Sequence, residues 1–316
     1  MKKWVKGTAI VLALMGLSMK SAYAIDTTTV NEKWGKPTVV YGGGLSEAQI
    51  KQTSELLGIK DSNTVLTETA TGQDLIKYLG SGDGNTSVMI SSVMVQKTDK
   101  GTGVKVNIKT PENITLVTAE QYANAAITAG VTDAEIEVAA VSKVTGESAL
   151  TGVYKAFEAN GVQLDTKRTE VAQQELEVTN KIAQENANAN GFDSSKLDKA
   201  MIEIKKELAE LKEKQGQLAT KEDIERIINE ALKNNSLQNV ISQDQINSLV
   251  AFAQNYQNTS AIDSKQVLEQ LNSLSQSVGE KINNLVEQAK NEGWLDKIAQ
   301  FFQSIFDAIK NLFSQN

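Results

Sequence analysis

The residue types that most often perform enzyme chemistry are scarce in this chain. Its 316 residues include no histidine and no cysteine, which excludes thiol nucleophiles, histidine bases and most zinc sites. The remaining side chains could perform carboxylate or Ser-Lys chemistry. No pair of acids stands out as a hydrolase dyad, although acids far apart in the sequence can converge in a fold. We therefore expect a non-catalytic protein without cofactor or metal. An extracellular carboxylate-based hydrolase acting on the cell wall is the alternative.

A glycine run is the chain's nearest approach to a ligand-binding motif. Residues 42–44 are all glycine and precede a predicted helix, a position at which backbone N–H groups can bind an anion. A P-loop would continue with Gly-Lys-Ser or Gly-Lys-Thr, and neither follows here. We interpret the run as a turn, and no residue as cofactor-binding.

The first 24 residues have the pattern of a secretory signal peptide. Lysines at positions 2, 3 and 6 precede an apolar run at 8–17, which is too short to span a bilayer. Ala22 and Ala24 occupy the −3 and −1 positions of a cleavage site. An uncleaved membrane anchor is the alternative interpretation. Removing this segment with its four lysines changes the net charge from −7 to −11, which argues against nucleic acid as a partner.

Residues 25–161 alternate β-branched segments with capped helices. Ser46 with Gln49 and Thr118 with Gln121 have capping-box spacing, and Gly130 is a helix stop. A short polar connection at 97–102 joins the third and fourth strands as a predicted hairpin. The strands are predicted at 38–41, 64–68, 87–96, 103–110 and 134–144.

The cap and stop residues recur at one offset in two parts of this region. Ser46 matches Thr118, and Gly58 matches Gly130. Each part predicts strand, helix, strand and helix, so an internal duplication is one hypothesis. Two unrelated units that use the same capping chemistry are the alternative.

Two long phrases in this region resemble a known family. They are Thr-Pro-Glu-Asn-Ile-Thr through Ala-Gly-Val-Thr-Asp-Ala at 110–134, and Val-Thr-Gly-Glu-Ser-Ala-Leu-Thr-Gly-Val-Tyr-Lys-Ala-Phe-Glu at 144–158. Both resemble the family catalogued as domain of unknown function 1002, whose members are secreted proteins of Gram-positive Firmicutes. The resemblance covers the front half well, and the rear half mainly in helical character. It implies an extracytoplasmic protein that faces the cell envelope, and it assigns no activity to any residue.

Residues 162–290 have the composition of helices. Thr220 and Ser242 are predicted N-caps, and a small bundle or an elongated arm would result. One helix has apolar residues at alternating steps of four and three, which is a heptad seam. A helical hairpin with residues 165–189, and self-association as a coiled coil, are both open. The seam residues are Leu197, Met201, Ile204, Leu208, Leu211 and Leu218.

Residues 291–316 form a predicted amphipathic helix, which we name the C-terminal segment. The charges on its polar face nearly cancel. Such a helix can lie in a membrane interface or cover an apolar patch on protein. We therefore expect a membrane surface or an envelope protein as its partner, with docking on the bundle as the alternative. Its apolar face consists of Trp294, Leu295, Ile298, Phe301, Phe302, Ile305, Phe306, Ile309, Leu312 and Phe313.

Together these patterns predict an α+β N-terminal domain built from two βαβα-like units with a central hairpin. An all-α helical bundle or coiled-coil arm follows it. The predicted function is a non-catalytic binding or scaffold module, secreted and associated with the cell envelope. Besides the hydrolase, a self-assembling structural protein is an alternative.

Overall fold

The computed structural model describes residues 34–80 and 82–292, with the backbone alone described at 285–292. Within these ranges the chain forms five strands and nine α-helices, which confirms the predicted mixture of α and β structure. In chain order they are β1 (Thr38–Gly42), α1 (Glu47–Leu56), β2 (Leu66–Ala70), α2 (Gly72–Leu79), β3 (Ser92–Lys97), β4 (Val104–Ile108), α3 (Ala119–Ala129), β5 (Ala134–Ala139), α4 (Ser148–Ala159), α5 (Thr166–Asn186), α6 (Ser194–Gln215), α7 (Lys221–Asn234), α8 (Gln243–Gln257) and α9 (Lys265–Glu292).

Local sequence chemistry sets the helix ends. The N-caps predicted at Ser46, Thr118, Thr220 and Ser242 are all present, and each forms a capping box. Gly130 ends α3 with a φ of 102°, a left-handed conformation that glycine adopts without a steric penalty. These helix boundaries therefore follow from contacts within a few residues.

The five strands form one mixed sheet in the order β2-β1-β3-β5-β4. Strand β1 is parallel to β2, and β4 is parallel to β5. Strand β3 joins the two pairs and runs antiparallel to both β1 and β5. This arrangement leaves β2 and β4 at the edges of the sheet.

The predicted hairpin between the third and fourth strands is wrong, because β5 lies between β3 and β4. Strand β5 is almost completely buried, whereas β4 is partly exposed and suits an edge. The connection from β3 to β4 instead passes around the start of β5. There Asp133 Oδ1 accepts hydrogen bonds from the N–H groups of Gly101 and Gly103, at 2.9 and 3.1 Å. Long-range burial has thus overridden a local turn signal.

Helices cover both faces of the sheet. Val39, Tyr41 and Met94 form a small apolar cluster with α1 on one face. On the other face Val40 and Val95 belong to a large cluster that includes residues of α3 and α4 and continues through α5 to α9. The rear helices therefore pack as a bundle against the α/β part, and one apolar core includes residues of both.

The proposed internal duplication is not confirmed by this arrangement. The element order β1-α1-β2-α2 and β4-α3-β5-α4 agrees with it. However, α1 belongs to the small cluster and α3 to the large one. In addition, the two units differ in the strand that lies next to β3. In the first unit it is the first strand, β1, and in the second unit it is the second strand, β5. The duplication therefore stays a hypothesis.

Candidate functional site

The α/β part and the rear helices meet around α3. Its sequence, Ala-Glu-Gln-Tyr-Ala-Asn-Ala-Ala-Ile-Thr-Ala, is rich in small residues, and every residue from 121 to 129 is buried. Helices α5, α6 and α9 all contact it. Polar side chains of α3 are therefore enclosed by these neighbours and need partners there, because an unpaired buried polar group is costly.

A buried ion pair lies at the centre of this junction. Lys205 of α6 and Glu175 of α5 are 0% and 2% exposed, and Lys205 Nζ lies 2.8 Å from Glu175 Oε1. The same ammonium group donates to Thr128 Oγ1 at 2.8 Å and to the Asn124 carbonyl oxygen at 3.1 Å. Burial lowers the pKa of Lys205, and the charge of Glu175 opposes that shift. The pair therefore joins three helices through charge-assisted hydrogen bonds.

Two tyrosines extend this polar cluster. The Tyr256 ring centroid lies 5.7 Å from Lys205 Nζ. Burial, and then the charge of Glu175, raise the pKa of both Tyr256 and Tyr154. Among the described residues, neither tyrosine hydroxyl group has a hydrogen-bond partner, and neither does Asn124 Oδ1. The cluster is closed to solvent, so it links helices and offers no open surface to a substrate.

A second buried acid contacts the N-terminus of α3. Asp198 Oδ2 accepts a hydrogen bond from Thr118 Oγ1 at 2.8 Å, and Thr118 Oγ1 accepts the N–H of Gln121 in the helix cap. Burial, followed by the negative charge of Glu120, raises the pKa of Asp198 well above its ordinary value. Asp198 therefore keeps its proton to a higher pH than an exposed aspartate does.

Helix α9 contacts α3 at both ends. Gln270 Nε2 donates to Asp133 Oδ1 at 2.9 Å, just beyond the C-terminus of α3. Lys281 forms an ion pair with Glu120, which lies at the N-terminus of α3. Helix α9 thus runs antiparallel to α3, and it continues past this contact to residue 292.

The predicted site residues fall into two groups. Ala22, Ala24 and the ten apolar residues of the C-terminal segment lie outside the described residues. The seam residues lie on α6 or just beyond it, where α7 and α9 are its main neighbours and α5 contacts it less. Leu197, Met201, Ile204 and Leu208 are buried, Leu211 is partly buried, and Leu218 is 37% exposed.

The polar residues of the junction are not among the predicted site residues. Asp198, Ile202, Lys205 and Ala209 form a second buried stripe on α6, one position after the seam. Steps of four, three and four in this stripe would have been a signal. From sequence alone, however, a charged residue within this stripe is expected to be exposed, unless its partner on another helix is known.

The glycine run at 42–44 has a packing role in the structure. Gly43 donates its N–H to the Ala70 oxygen and Gly44 donates to the Met89 oxygen, at 2.8 and 2.9 Å. The N–H of Gly42 is also bonded. A Cβ atom on Gly42 would lie 2.2 Å from the Met89 oxygen. None of the three N–H groups is available to an anion, which agrees with the turn interpretation.

An acidic groove lies on the surface where α6 and α7 pack together. It is lined by Glu203, Glu207, Glu210 and Glu230, with Lys206 among them. Within residues 34–80 and 82–292, no three acids come close enough together to hold a metal ion. All the residues that line this groove belong to α6 or α7, so it is a feature of the helical bundle.

None of the helices in the described part of the chain is long and apolar enough to cross a membrane.

The structure defines a mixed α+β protein whose helical bundle shares one core with a five-stranded sheet.

Comparison with known proteins then gives the family. Residues 41–274 match the family described as "Protein of unknown function (DUF1002)". The chain is also 32% identical over 286 residues to "Uncharacterized protein YpuA" of Bacillus subtilis (strain 168), covering 88% of this chain and 90% of that protein. No solved structure matches significantly. The chain belongs to the DUF1002 family, as its two phrases at 110–134 and 144–158 predicted.

Proposed function

We propose that this protein is a secreted, non-catalytic binding or scaffold module that its C-terminal segment holds at the cell envelope. The observation that carries the proposal is the docking of α9. Its residues Val267, Leu271, Leu274 and Val278 are buried, and Lys281 pairs with Glu120. The helix that leads toward the C-terminal segment is therefore fixed to the folded body.

The composition of the C-terminal segment supports the anchoring role. Burying one Phe or Leu side chain contributes about 1.5–3 kcal/mol, and the apolar face has ten large residues. Its charged residues nearly balance, so apolar burial rather than attraction to anionic lipid would drive membrane binding. The signal-peptide pattern supports export, and the internal use of the junction's charged groups supports a non-catalytic role.

Deletion of residues 293–316 tests the anchoring proposal. Cells that express the full chain or the truncated chain are fractionated, and purified mature proteins are sedimented with neutral and anionic vesicles. We expect the full chain with the membranes and vesicles, and the truncated chain in the soluble fraction. Circular dichroism verifies that the truncated protein is folded.

A matched pair of variants separates apolar contact from helix formation. Phe301→Asp with Phe306→Asp changes the apolar face, whereas Gln300→Asp with Gln303→Asp adds the same charges to the polar face. Only the first pair should release the protein from vesicles of both kinds. The proposal fails if the truncated chain sediments as well as the full chain, or if both pairs behave alike.

A further inference from the structure

Strand β2 is an edge strand with outward-facing backbone groups. Among the described residues it pairs only with β1. The N–H of Leu66 donates to the Pro37 oxygen, and the Ala70 oxygen accepts from Gly43. Alternate residues of a parallel strand bond to the same neighbour, so Leu66 and Ala70 face β1. The N–H and C=O groups of Thr67 and Thr69 therefore point away from the sheet.

The side chains of this strand leave the edge accessible. Leu66 is 40% exposed, and Thr67 and Thr69 are exposed as well. Proteins commonly protect edge strands with lysine, proline or a covering segment. Strand β2 contains neither residue, and its one charged residue is Glu68.

Glu68 gives the edge a negative charge that forms no ion pair in the part of the chain that the structure describes. It is paired in register with Val40, on the face that α4 covers. The other acids nearby have cations, because Asp74 Oδ2 lies 2.7 Å from Lys155 Nζ and Glu158 pairs with Lys77. The charge of Glu68 also contributes to raising the pKa of Tyr78, after burial, Glu158 and Asp74.

The same charge disfavours pairing between two copies of this strand. An antiparallel pair that uses the backbone groups of both Thr67 and Thr69 places Glu68 directly opposite Glu68 of the second copy. Like charges directly opposite each other destabilise a strand pair. A strand with a basic residue at that position gains a cross-strand ion pair instead.

We propose that the β2 edge binds an extended peptide strand of a partner protein, with a lysine or arginine of that strand opposite Glu68. Backbone hydrogen bonds to Thr67 and Thr69 supply the binding, and Glu68 selects the charge. This inference gives the proposed binding role a surface. Its test requires no membrane, so it can fail while the anchoring proposal stands, and the reverse also holds.

The probe is the synthetic peptide Thr-Val-Thr-Lys-Thr-Val-Thr, with Thr-Val-Thr-Glu-Thr-Val-Thr as its charge control. Each is titrated into the full-length mature protein, and amide exchange and chemical shifts are followed by NMR. We expect the lysine peptide to protect the amides of residues 67 and 69 from exchange. It should bind about threefold more tightly than the glutamate peptide, in line with one cross-strand pair.

Two variants decide whether the edge itself is used. Thr67→Pro removes an outward N–H, a change that edge strands tolerate, while Thr67→Val keeps the N–H as the matched control. Only the proline variant should lose binding. Glu68→Lys should reverse the preference between the two peptides. The proposal is overturned if neither peptide protects residues 67 and 69, if Thr67→Pro binds like Thr67→Val, or if Glu68→Lys leaves the preference unchanged.

Discussion

Lys205 and Glu175 are buried together between α5 and α6, where each charge depends on the other. Taking a charged group out of water is costly, and a close partner of opposite charge offsets that cost. Thr128 and the Asn124 carbonyl oxygen satisfy further hydrogen bonds of the ammonium group. The pair consequently links α3, α5 and α6 at the junction.

Replacing Lys205 alone should destabilise the protein strongly. Lys205→Met leaves the Glu175 carboxylate buried without its cation, and we expect the free energy of unfolding to fall by about 3–5 kcal/mol. Chemical denaturation of the variant measures this loss. The double variant Lys205→Met with Glu175→Met should recover most of it, because no buried charge remains. A single variant as stable as the parent would contradict this account.

Asp198 should produce a dependence of stability on pH. Its pKa is raised above 3.8 in the folded state, so the folded protein holds a proton that the unfolded chain has already released. Stability should therefore fall as pH rises above about 4, and level off above the folded pKa. Asp198→Asn cannot ionise, and it should remove this part of the slope and be more stable than the parent at neutral pH.

Urea unfolding at several pH values measures the effect of Asp198→Asn. Asp223 provides a control of opposite sign, because hydrogen bonds from Thr220 lower its pKa. The ionised Asp223 carboxylate therefore stabilises the fold at pH values above the ordinary pKa of aspartate, and Asp223→Asn should be less stable than the parent at neutral pH. Identical pH profiles for Asp198→Asn and the parent would refute the predicted role of Asp198.

Among the secondary-structure elements, helix ends and strand neighbours have different causes. The caps at Ser46, Thr118 and Thr220 depend on side chains three residues away, and the sequence predicted them correctly. The partners of β3 depend on which strand is most deeply buried. The polar connection at 97–102 resembles a hairpin turn, but the buried strand β5 lies next to β3 and leaves β4 at the edge.

Gly42 and Gly279 have different surroundings, so replacing each by alanine should have opposite effects on stability. A Cβ atom on Gly42 would lie 2.2 Å from the Met89 oxygen, whereas one on Gly279 would meet nothing within 4 Å. We expect Gly42→Ala to lower the stability by about 1–3 kcal/mol through overpacking. Gly279→Ala, in the interior of α9, should raise it by about 0.5–1 kcal/mol.

Thermal unfolding of the two glycine variants measures both changes. The Gly279 variant is the matched control, because it adds the same methyl group where space is free. A Gly42→Ala protein with an unchanged melting temperature would show that the backbone near Met89 moves without cost.

For the molecule as a whole, the two halves share one core. The large apolar cluster includes Val95 of the sheet, Ile127 of α3 and Leu176, Ile204 and Leu271 of the rear helices. Separating the halves would expose the apolar face of α3. A domain normally has a core of its own, so we expect these halves to unfold together.

Residues 25–161 alone should therefore fail to form a stable domain. We expect poor chemical-shift dispersion in the NMR spectrum of this fragment, and one calorimetric transition for residues 25–292. The longer chain is the control for folding without the signal peptide and residues 293–316. A well-dispersed fragment spectrum, or two separate transitions in the longer chain, would contradict a shared core.

The sequence by itself determined the mixture of α and β structure, the capped helix ends and the family. These features depend on residues close together in the chain or on long diagnostic phrases. Tertiary structure alone decided that β5 separates β3 from β4, and that Lys205 meets Glu175. Each of these contacts joins segments about 30 residues or more apart, and a lone polar residue does not reveal its partner. Burial of the whole core selects such pairs, because only the packed chain excludes water from them.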